Sequence, residues 1–360
     1  MCFAKKKKVP PSIPEKVYKT GGPIRYPAQP EIPKQSEEPM SRSVETTVQE
    51  ETKKDEEPLC PVTEKWLWDT FNKTIHGLTK EYEKVQKYQK DGLTFKAYEA
   101  NSMYNRGPNK CADQTRIIIK FPGIKTDYYH ANYIHLDPSF PRIICALSPS
   151  KSTEYSFWAM VIQEDIDTIL AIGEPNAKTW HYWWLEDRKP RKLFGGDKPI
   201  IVERVVDEDG TCVKLEWGDG RKKEIAFPRA KLKDTDDEYR HTVWQAYQDM
   251  IDDIKQKRKV MIHCSKGNYS IVMLMIGYCL YQIREKKMAP PPMPELLKII
   301  RGQRHGVIQN AKEYLKVYHG VMQQLMNIEH SGVKHFQPFL EQLERAKTVD
   351  VPHNSDTMRY

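Results

Sequence analysis

The sequence lacks long hydrophobic runs, paired cysteine motifs and a strong charge of one sign. No apolar stretch reaches the roughly 18 residues that a membrane-spanning helix needs, and the most apolar window, Ile271–Leu280, is typical of a buried helix. Seven cysteines occur without a C-x-x-C pair, which argues against a disulfide framework or a zinc site. This cysteine usage indicates a reducing compartment, so we expect a cytoplasmic protein.

Signals for nucleic acid, metal and cofactor binding are also missing. The formal net charge of +8 is modest for 360 residues, and no basic stripe interleaved with aromatic residues indicates nucleic-acid binding. The histidines show no metal-ligand spacing. We therefore expect no metal, no other cofactor and no nucleic-acid partner.

Composition divides the chain into three parts. Residues 1–61 are rich in proline, lysine and glutamate with almost no apolar periodicity, and such a segment buries too little apolar surface to offset its ordering entropy, so we predict a disordered tail. Cys2 beside Lys5–Lys8 has the pattern of an acylated, polybasic membrane anchor. A solvated tail is the preferred interpretation, because motifs this short often match by chance. Residues 336–360 are polar, and we predict a flexible C-terminal end.

Between these ends, residues 62–335 alternate helix-like and strand-like segments. Three consecutive strand-like segments, IIVERVVDE, TCVKLEWG and KKEIAF, are joined by turn residues, which is typical of an antiparallel meander. Helices are predicted before, between and after the strands. We therefore expect one α/β (α+β) domain with a central twisted mixed sheet flanked by helices.

The stretch VMIHCSKGNYSIVML, residues 260–274, predicts a strand, a tight loop and a helix, with Cys264 at the mouth of the loop. Backbone N–H groups and the positive end of the helix would converge there. That field favours a thiolate, which could attack phosphorus and form a phosphocysteine. A buried structural cysteine at the end of a strand is the other interpretation. Spacing alone leaves both open.

The same stretch resembles the signature loop of the classical protein tyrosine phosphatases, in which His-Cys is followed by five residues, an arginine and a serine or threonine. Further segments resemble the family's landmarks in the family's order, and they are DQTRI at 113–117, TDYYHANYI at 126–134, KTWHYWW at 178–184 and RGQRHGVIQNAKEY at 301–314. The resemblance implies the phosphatase fold, a nucleophilic role for Cys264 and a water-positioning role for Gln309. It assigns the phosphate loop to His263, Ser265, Lys266, Gly267, Asn268, Tyr269 and Ser270.

The chain departs from the family pattern within the loop itself. Ser270 stands at the arginine position, and a register with one residue deleted would place Tyr269 there instead. Tyr269 otherwise replaces a glycine, so we expect its side chain to crowd the loop. The side chain of Lys266 is expected to point outward, so it does not replace the missing guanidinium.

Two further positions depart from the pattern outside the loop. Ala246, in the match to the family's Trp-Pro-Asp loop, replaces the general acid, and Gly107 replaces the tyrosine that clamps the phenyl ring. Asp249 lies nearly one helical turn beyond Ala246, too far to act as the acid without rearrangement.

These departures identify the chain as a degenerate member of the family. The resemblance then implies a catalytically inactive pseudophosphatase that binds a protein partner, which could itself be phosphorylated, in phosphotyrosine signalling. An active cysteine-dependent phosphatase with altered acid and phosphate-binding residues is the alternative. A redox-sensitive thiol at Cys264 is a third hypothesis.

Overall fold

The computed structural model describes residues 59–105, 109–172, 190–195, 199–207, 210–227, 229–230, 236–326 and 331–347. The helices are α1 (Pro61–Val85), α2 (Lys96–Ala100), α3 (Glu154–Gln163), α4 (Asp236–Lys255), α5 (Tyr269–Leu280), α6 (Met293–Arg301), α7 (Ala311–Met326) and α8 (Gln337–Ala346). The strands are β1 (Arg116–Ile118), β2 (Tyr128–Ile134), β3 (Ile143–Leu147), β4 (Thr168–Ile172), β5 (Arg191–Leu193), β6 (Ile200–Asp207), β7 (Gly210–Trp217), β8 (Arg221–Ala226), β9 (Arg229–Ala230) and β10 (Val260–Cys264).

Ten strands form one mixed sheet in the order β1-β2-β3-β10-β4-β8-β7-β6-β5, and β9 pairs with β4. Strand β10 lies between β3 and β4 and runs parallel to both. Strands β6, β7 and β8 pair antiparallel in sequence order, which confirms the predicted meander. The mixed sheet with flanking helices confirms the predicted α/β class.

The sheet separates two apolar cores. One core joins Ile262 of β10 to α5, α7, α6 and α1, and the other joins Met261 of the same strand to α3 and to the β6–β8 meander. Because successive residues of a strand point to opposite faces, β10 contributes to both cores and is buried along its whole length. Helix α5 is also buried from Ser270 to Leu280, as its apolar sequence predicts. Strand β10 and helix α5 are therefore packed at the centre of the domain.

Helix α1 is the first helix of the described residues. It begins at Pro61, a favoured first helical residue, and residues 1–58 lie outside the described residues. None of the helices in the described ranges is long and apolar enough to cross a membrane.

The C-terminal end differs from the prediction of a flexible segment from residue 336 onward. Residues 337–346 form helix α8, which buries Phe339, Leu340 and Leu343. The Phe339 ring packs on Phe71 of α1, with ring centroids 5.5 Å apart. The prediction was wrong over this range because three apolar residues in a short polar segment gave a weak signal, although they share one face of a helix.

Candidate active-site loop

The loop after β10 lies at the carboxyl end of the central parallel strands. Cys264 ends β10, and its carbonyl accepts a hydrogen bond from the backbone N–H of Ser148, 3.0 Å away, at the end of β3. Helix α5 begins at Tyr269, five residues later. Gly267 makes the turn with a φ of +84°, a left-handed conformation that disfavours any residue with a Cβ. The strand, loop and helix predicted from residues 260–274 are confirmed.

Backbone amides converge on the thiol of Cys264, as the sequence predicts. The N–H of Gly267 donates to Sγ over 3.0 Å, and the N–H of Ser270 lies 3.4 Å from it. Cys264 is only 1% exposed. The loop therefore has the geometry that stabilises negative charge at Sγ.

Ser270, which the family resemblance aligns with an arginine, brings no cation to the loop. Its side chain is fully buried, and its Oγ donates to the Gly267 carbonyl over 3.0 Å and lies 3.8 Å from the Cys264 Sγ. The neutral Ser270 hydroxyl therefore makes a hydrogen bond within the loop. It has no free donor left for a phosphate oxygen, because its one proton serves the Gly267 carbonyl.

A guanidinium that sequence reasoning missed lies beside the loop. Arg304 follows α6 and is fully buried, and its Nη1 donates to the Asn132 Oδ1 over 2.8 Å and to the Cys145 carbonyl over 3.0 Å. Its Nε and Nη2 have no hydrogen-bond partner among the described residues. A Cβ placed on Gly267 would lie 2.7 Å from Nη2, which locates this nitrogen directly against the loop.

Arg304 is thus a buried cation held by neutral acceptors. Burial raises the pKa of Cys145 to about 12 and that of Cys111 to about 11, although the Arg304 charge lowers both. These two thiols are therefore protonated at neutral pH. In the sequence, Arg304 is the second arginine of RGQR. This segment matches the family pattern, but the resemblance assigned no role to the arginine.

Four polar side chains form a network that joins the loop to α7. The Asn109 Nδ2 donates to the Asn268 Oδ1 over 2.5 Å and to the Lys266 carbonyl over 3.2 Å. The Asn268 Nδ2 donates to the Glu313 Oε1 over 2.8 Å, and the Glu313 Oε2 accepts the backbone N–H of Gln309 over 2.7 Å. The side chain of Gln309 is occupied as well, because its Nε2 donates to the Gly306 carbonyl over 2.9 Å.

Two side chains of the loop point away from it. Lys266 is exposed, as predicted. Tyr269 was predicted to crowd the loop, but it is 39% exposed and its ring lies 5.0 Å from the Nζ of Lys316 on α7. The prediction was wrong because Tyr269 is the first residue of α5, and its side chain follows the helix surface toward α7.

Ala246, which the family resemblance aligns with the general acid, lies within a continuous helix. Residues 236–255 form α4 without interruption, and Ala246 is buried with 2% exposure in the core beside α5. Asp249 accepts a hydrogen bond from Gln245 one turn earlier, over 2.8 Å. Burial raises the pKa of Asp249, and the charges of Asp253 and Asp252 raise it further. The helix predicted here is confirmed, and it holds both side chains in fixed directions.

The remaining predicted site residues are placed as follows. His263 is fully buried on β10, and Ser265 is half-buried beside it. Gly107 and the segment at 178–184 lie outside the described residues. Within the described ranges, no group of three or more histidine, cysteine, aspartate or glutamate side chains could hold a metal ion.

A parallel central strand that delivers a cysteine into an amide-lined loop before a buried helix defines a tyrosine-phosphatase-like architecture. A family profile described as protein-tyrosine phosphatase matches residues 101–323, which is more than half of the chain. The chain belongs to the protein-tyrosine phosphatase family.

Curated relatives include both phosphatase-like and inactive proteins. Tyrosine phosphatase-like protein H1 of Microplitis demolitor bracovirus is 24% identical over 290 residues, which cover 71% of this chain and 82% of the viral protein. Tyrosine-protein phosphatase 69D of Drosophila melanogaster is 23% identical over 276 residues, 69% of this chain but 18% of the fly protein. Inactive protein-tyrosine phosphatase egg-4 of Caenorhabditis elegans is 34% identical over 96 residues, 26% of this chain and 13% of the worm protein.

Solved structures support the same fold. A structure from a study of the PTPN18 fingerprint on HER2 tyrosine phosphorylation sites aligns with a TM-score of 0.58 at 20% identity, covering 73% of this chain and 99% of that chain. The Trypanosoma cruzi protein tyrosine phosphatase TcPTP1 aligns with a TM-score of 0.57 at 16% identity, covering 74% of this chain and 97% of the other. At these identities the likeness concerns the fold.

Proposed function

We propose that this chain is a catalytically silent tyrosine-phosphatase domain that acts by binding a protein partner in the cytoplasm, within phosphotyrosine signalling. The observation that carries the proposal is Ser270. The family resemblance aligns Ser270 with the arginine of the loop, and its hydroxyl donates to the Gly267 carbonyl. The loop therefore keeps its shape without the charged fork that would hold a phosphoryl group in the transition state.

The expected losses in rate are large. Removing one preorganised electrostatic donor costs about 10²- to 10³-fold in rate, and removing a general acid costs roughly 10²- to 10⁴-fold. Such losses need not multiply, because groups that act as a unit are not additive. Either loss alone would leave a very poor enzyme.

The continuous helix α4 supports the same conclusion. An acid must approach the leaving oxygen to within hydrogen-bond distance. Ala246 has no proton to give, and it is packed against the core. Asp249 accepts a hydrogen bond from Gln245 on the preceding turn of the same helix, so no flexible loop could carry it toward Cys264.

An active cysteine-dependent phosphatase with altered residues remains the second candidate. It is favoured by the intact cradle of amides around the Cys264 Sγ and by the buried Arg304 beside Gly267. In that case Cys264 would attack phosphorus, the amides of Ser265 to Ser270 would hold the oxygens, and Gln309 would position water. Arg304 is fully buried beside Gly267, which weighs against direct contact with a substrate.

A turnover assay separates the two candidates. The purified chain is incubated with a phosphotyrosine peptide and with an aryl phosphate, in parallel with Cys264→Ser. The silent domain gives equal background hydrolysis in both proteins. Turnover that disappears in Cys264→Ser would establish the active phosphatase and refute the proposal.

Two of the relatives named above support the silent role, since one carries the description inactive and another the description phosphatase-like. The phosphotyrosine part of the proposal is tested by binding of a matched pair of peptides, phosphorylated and unphosphorylated, to the Cys264→Ser variant. A preference for the phosphorylated peptide supports a phosphorylated partner, and equal binding removes that element of the proposal.

A further inference from the structure

The buried guanidinium of Arg301, the last residue of α6, joins two segments that are distant in sequence. Its Nη1 donates to the carbonyls of Val85 and Gln86, over 2.6 and 2.8 Å, where α1 ends. Its Nε donates to the Val307 carbonyl over 3.0 Å, and its Nη2 donates to the Ile308 carbonyl over 2.6 Å. All three nitrogens are therefore committed, and they tie the end of α1 to the turn before α7.

The turn that Arg301 holds has a strained backbone. Ile308 is fully buried and has a φ of +52°, a left-handed conformation that is an outlier for a β-branched residue. Its carbonyl also accepts a hydrogen bond from the Tyr82 Oη over 3.1 Å. A strained conformation persists only where the surrounding contacts fix it. Arg301 and Tyr82 supply such contacts from outside the turn.

The residues that follow this turn reach the Cys264 loop. The N–H of Gln309 donates to the Glu313 Oε2 over 2.7 Å, and the other carboxylate oxygen accepts the Asn268 Nδ2 over 2.8 Å. Asn268 lies within the loop, next to the glycine whose N–H donates to the Cys264 Sγ. Burial lowers the pKa of Arg301, and the charge of Glu313 raises it, so the two charges attract each other as well.

We propose that Arg301 is a positioning residue for the candidate site. It holds the Ile308 turn in its strained conformation, and through this turn it places the Gln309 N–H and the Glu313 carboxylate against the Cys264 loop. Arg301 acts through these residues, since its own hydrogen bonds go to the four carbonyls at the end of α1 and in the turn. The inference deepens the proposed function, because it names a contact that fixes the shape of the silent loop.

Labelling with iodoacetamide under native conditions tests the proposal. Cys264 is 1% exposed and Cys279 of α5 is fully buried, so each thiol reacts only when its surroundings open. Cleavage after Lys266 places the two cysteines on different tryptic peptides, and mass spectrometry gives the ratio of their labelling rates. Arg301→Met removes charged hydrogen bonds, each of which changes an opening equilibrium by roughly 10- to 100-fold. The rate for Cys264 should therefore rise at least about tenfold relative to Cys279.

The matched control is Arg284→Met, which removes a partly buried arginine that donates to the Gln324 carbonyl on α7. A variant that only destabilises the domain raises both labelling rates together, so the control should leave their ratio unchanged. Tyr82→Phe removes a single neutral hydrogen bond to the turn, and it should raise the ratio about three- to tenfold. This variant decides the question if Arg301→Met fails to fold.

The proposal is overturned if the labelling ratio is unchanged in Arg301→Met, or if it rises as much in Arg284→Met. It is also overturned if Tyr82→Phe leaves the ratio at the wild-type value. The measurement requires neither turnover nor a partner, so a failure here leaves the silent-domain proposal standing.

Discussion

Replacing Gly267 with alanine should destabilise the domain well beyond the usual cost of a lost glycine. Gly267 has a φ of +84°, and an L-residue in this conformation costs roughly 1–2 kcal/mol. The added Cβ would also lie 2.7 Å from the Arg304 Nη2. Arg304 cannot retreat freely, because its Nη1 is bound to Asn132 and to the Cys145 carbonyl.

Displacing the guanidinium would weaken at least one charged hydrogen bond, which contributes roughly 1.5–3 kcal/mol. We therefore expect Gly267→Ala to lose about 2.5–5 kcal/mol of unfolding free energy in total. Urea unfolding followed by tryptophan fluorescence measures the loss, provided that the slope of the transition is unchanged.

Gly92 offers a matched control. Its φ is +76°, yet a Cβ there meets no atom within 4 Å, so Gly92→Ala should show the conformational cost alone. Equal losses in the two variants would mean that the close approach of Arg304 to the loop has no energetic consequence. The additional loss expected for Gly267→Ala over Gly92→Ala would then be refuted.

Two further predictions concern helix α8. Leu343→Ala should lower the unfolding free energy by about 2–5 kcal/mol because it empties a fully buried position, whereas Glu341→Ala should change it by less than about 0.5 kcal/mol; equal effects in urea unfolding would show that α8 does not pack on the domain. Burial raises the pKa of Glu344, but hydrogen bonds from His319 and Lys347 lower it to about 2. Its contribution to stability is therefore complete above its ordinary value of 4.5 and is lost as the pH falls toward 2. Glu344→Gln should then lower the Tm more at pH 7 than at pH 3, and an equal decrease at both would contradict this assignment.

The sequence predicted those parts of the structure that depend on local pattern. The apolar run ending at Cys264, the glycine at 267 and the apolar run after it gave the strand, loop and helix, because periodicity and turn chemistry are short-range properties. The meander of β6, β7 and β8 followed from the same kind of signal. The position of the general acid on a helix was also predicted, because the polar segment after Trp244 has helical spacing.

The contacts that characterise the loop could not be predicted in this way. Asn268 meets Glu313 45 residues later, and it meets Asn109 159 residues earlier. No local pattern encodes such pairs, since each partner is an ordinary polar residue in its own segment. The orientation of the Tyr269 side chain was missed for a related reason. It depends on the contact with Lys316 of α7 and not on the sequence of the loop.

Helix α4 also determines whether a carboxylate could be accommodated at residue 246. An aspartate introduced at Ala246 would place a carboxylate among Tyr247, Met250 and the other apolar side chains of that core, where an unpaired charge costs several kcal/mol. We therefore expect the Ala246→Asp substitution to lower the unfolding free energy without supplying a working general acid. A carboxylate at residue 246 could reach solvent only if the backbone there left its helical path. A single substitution at this position would therefore not be enough without a rearrangement of the main chain.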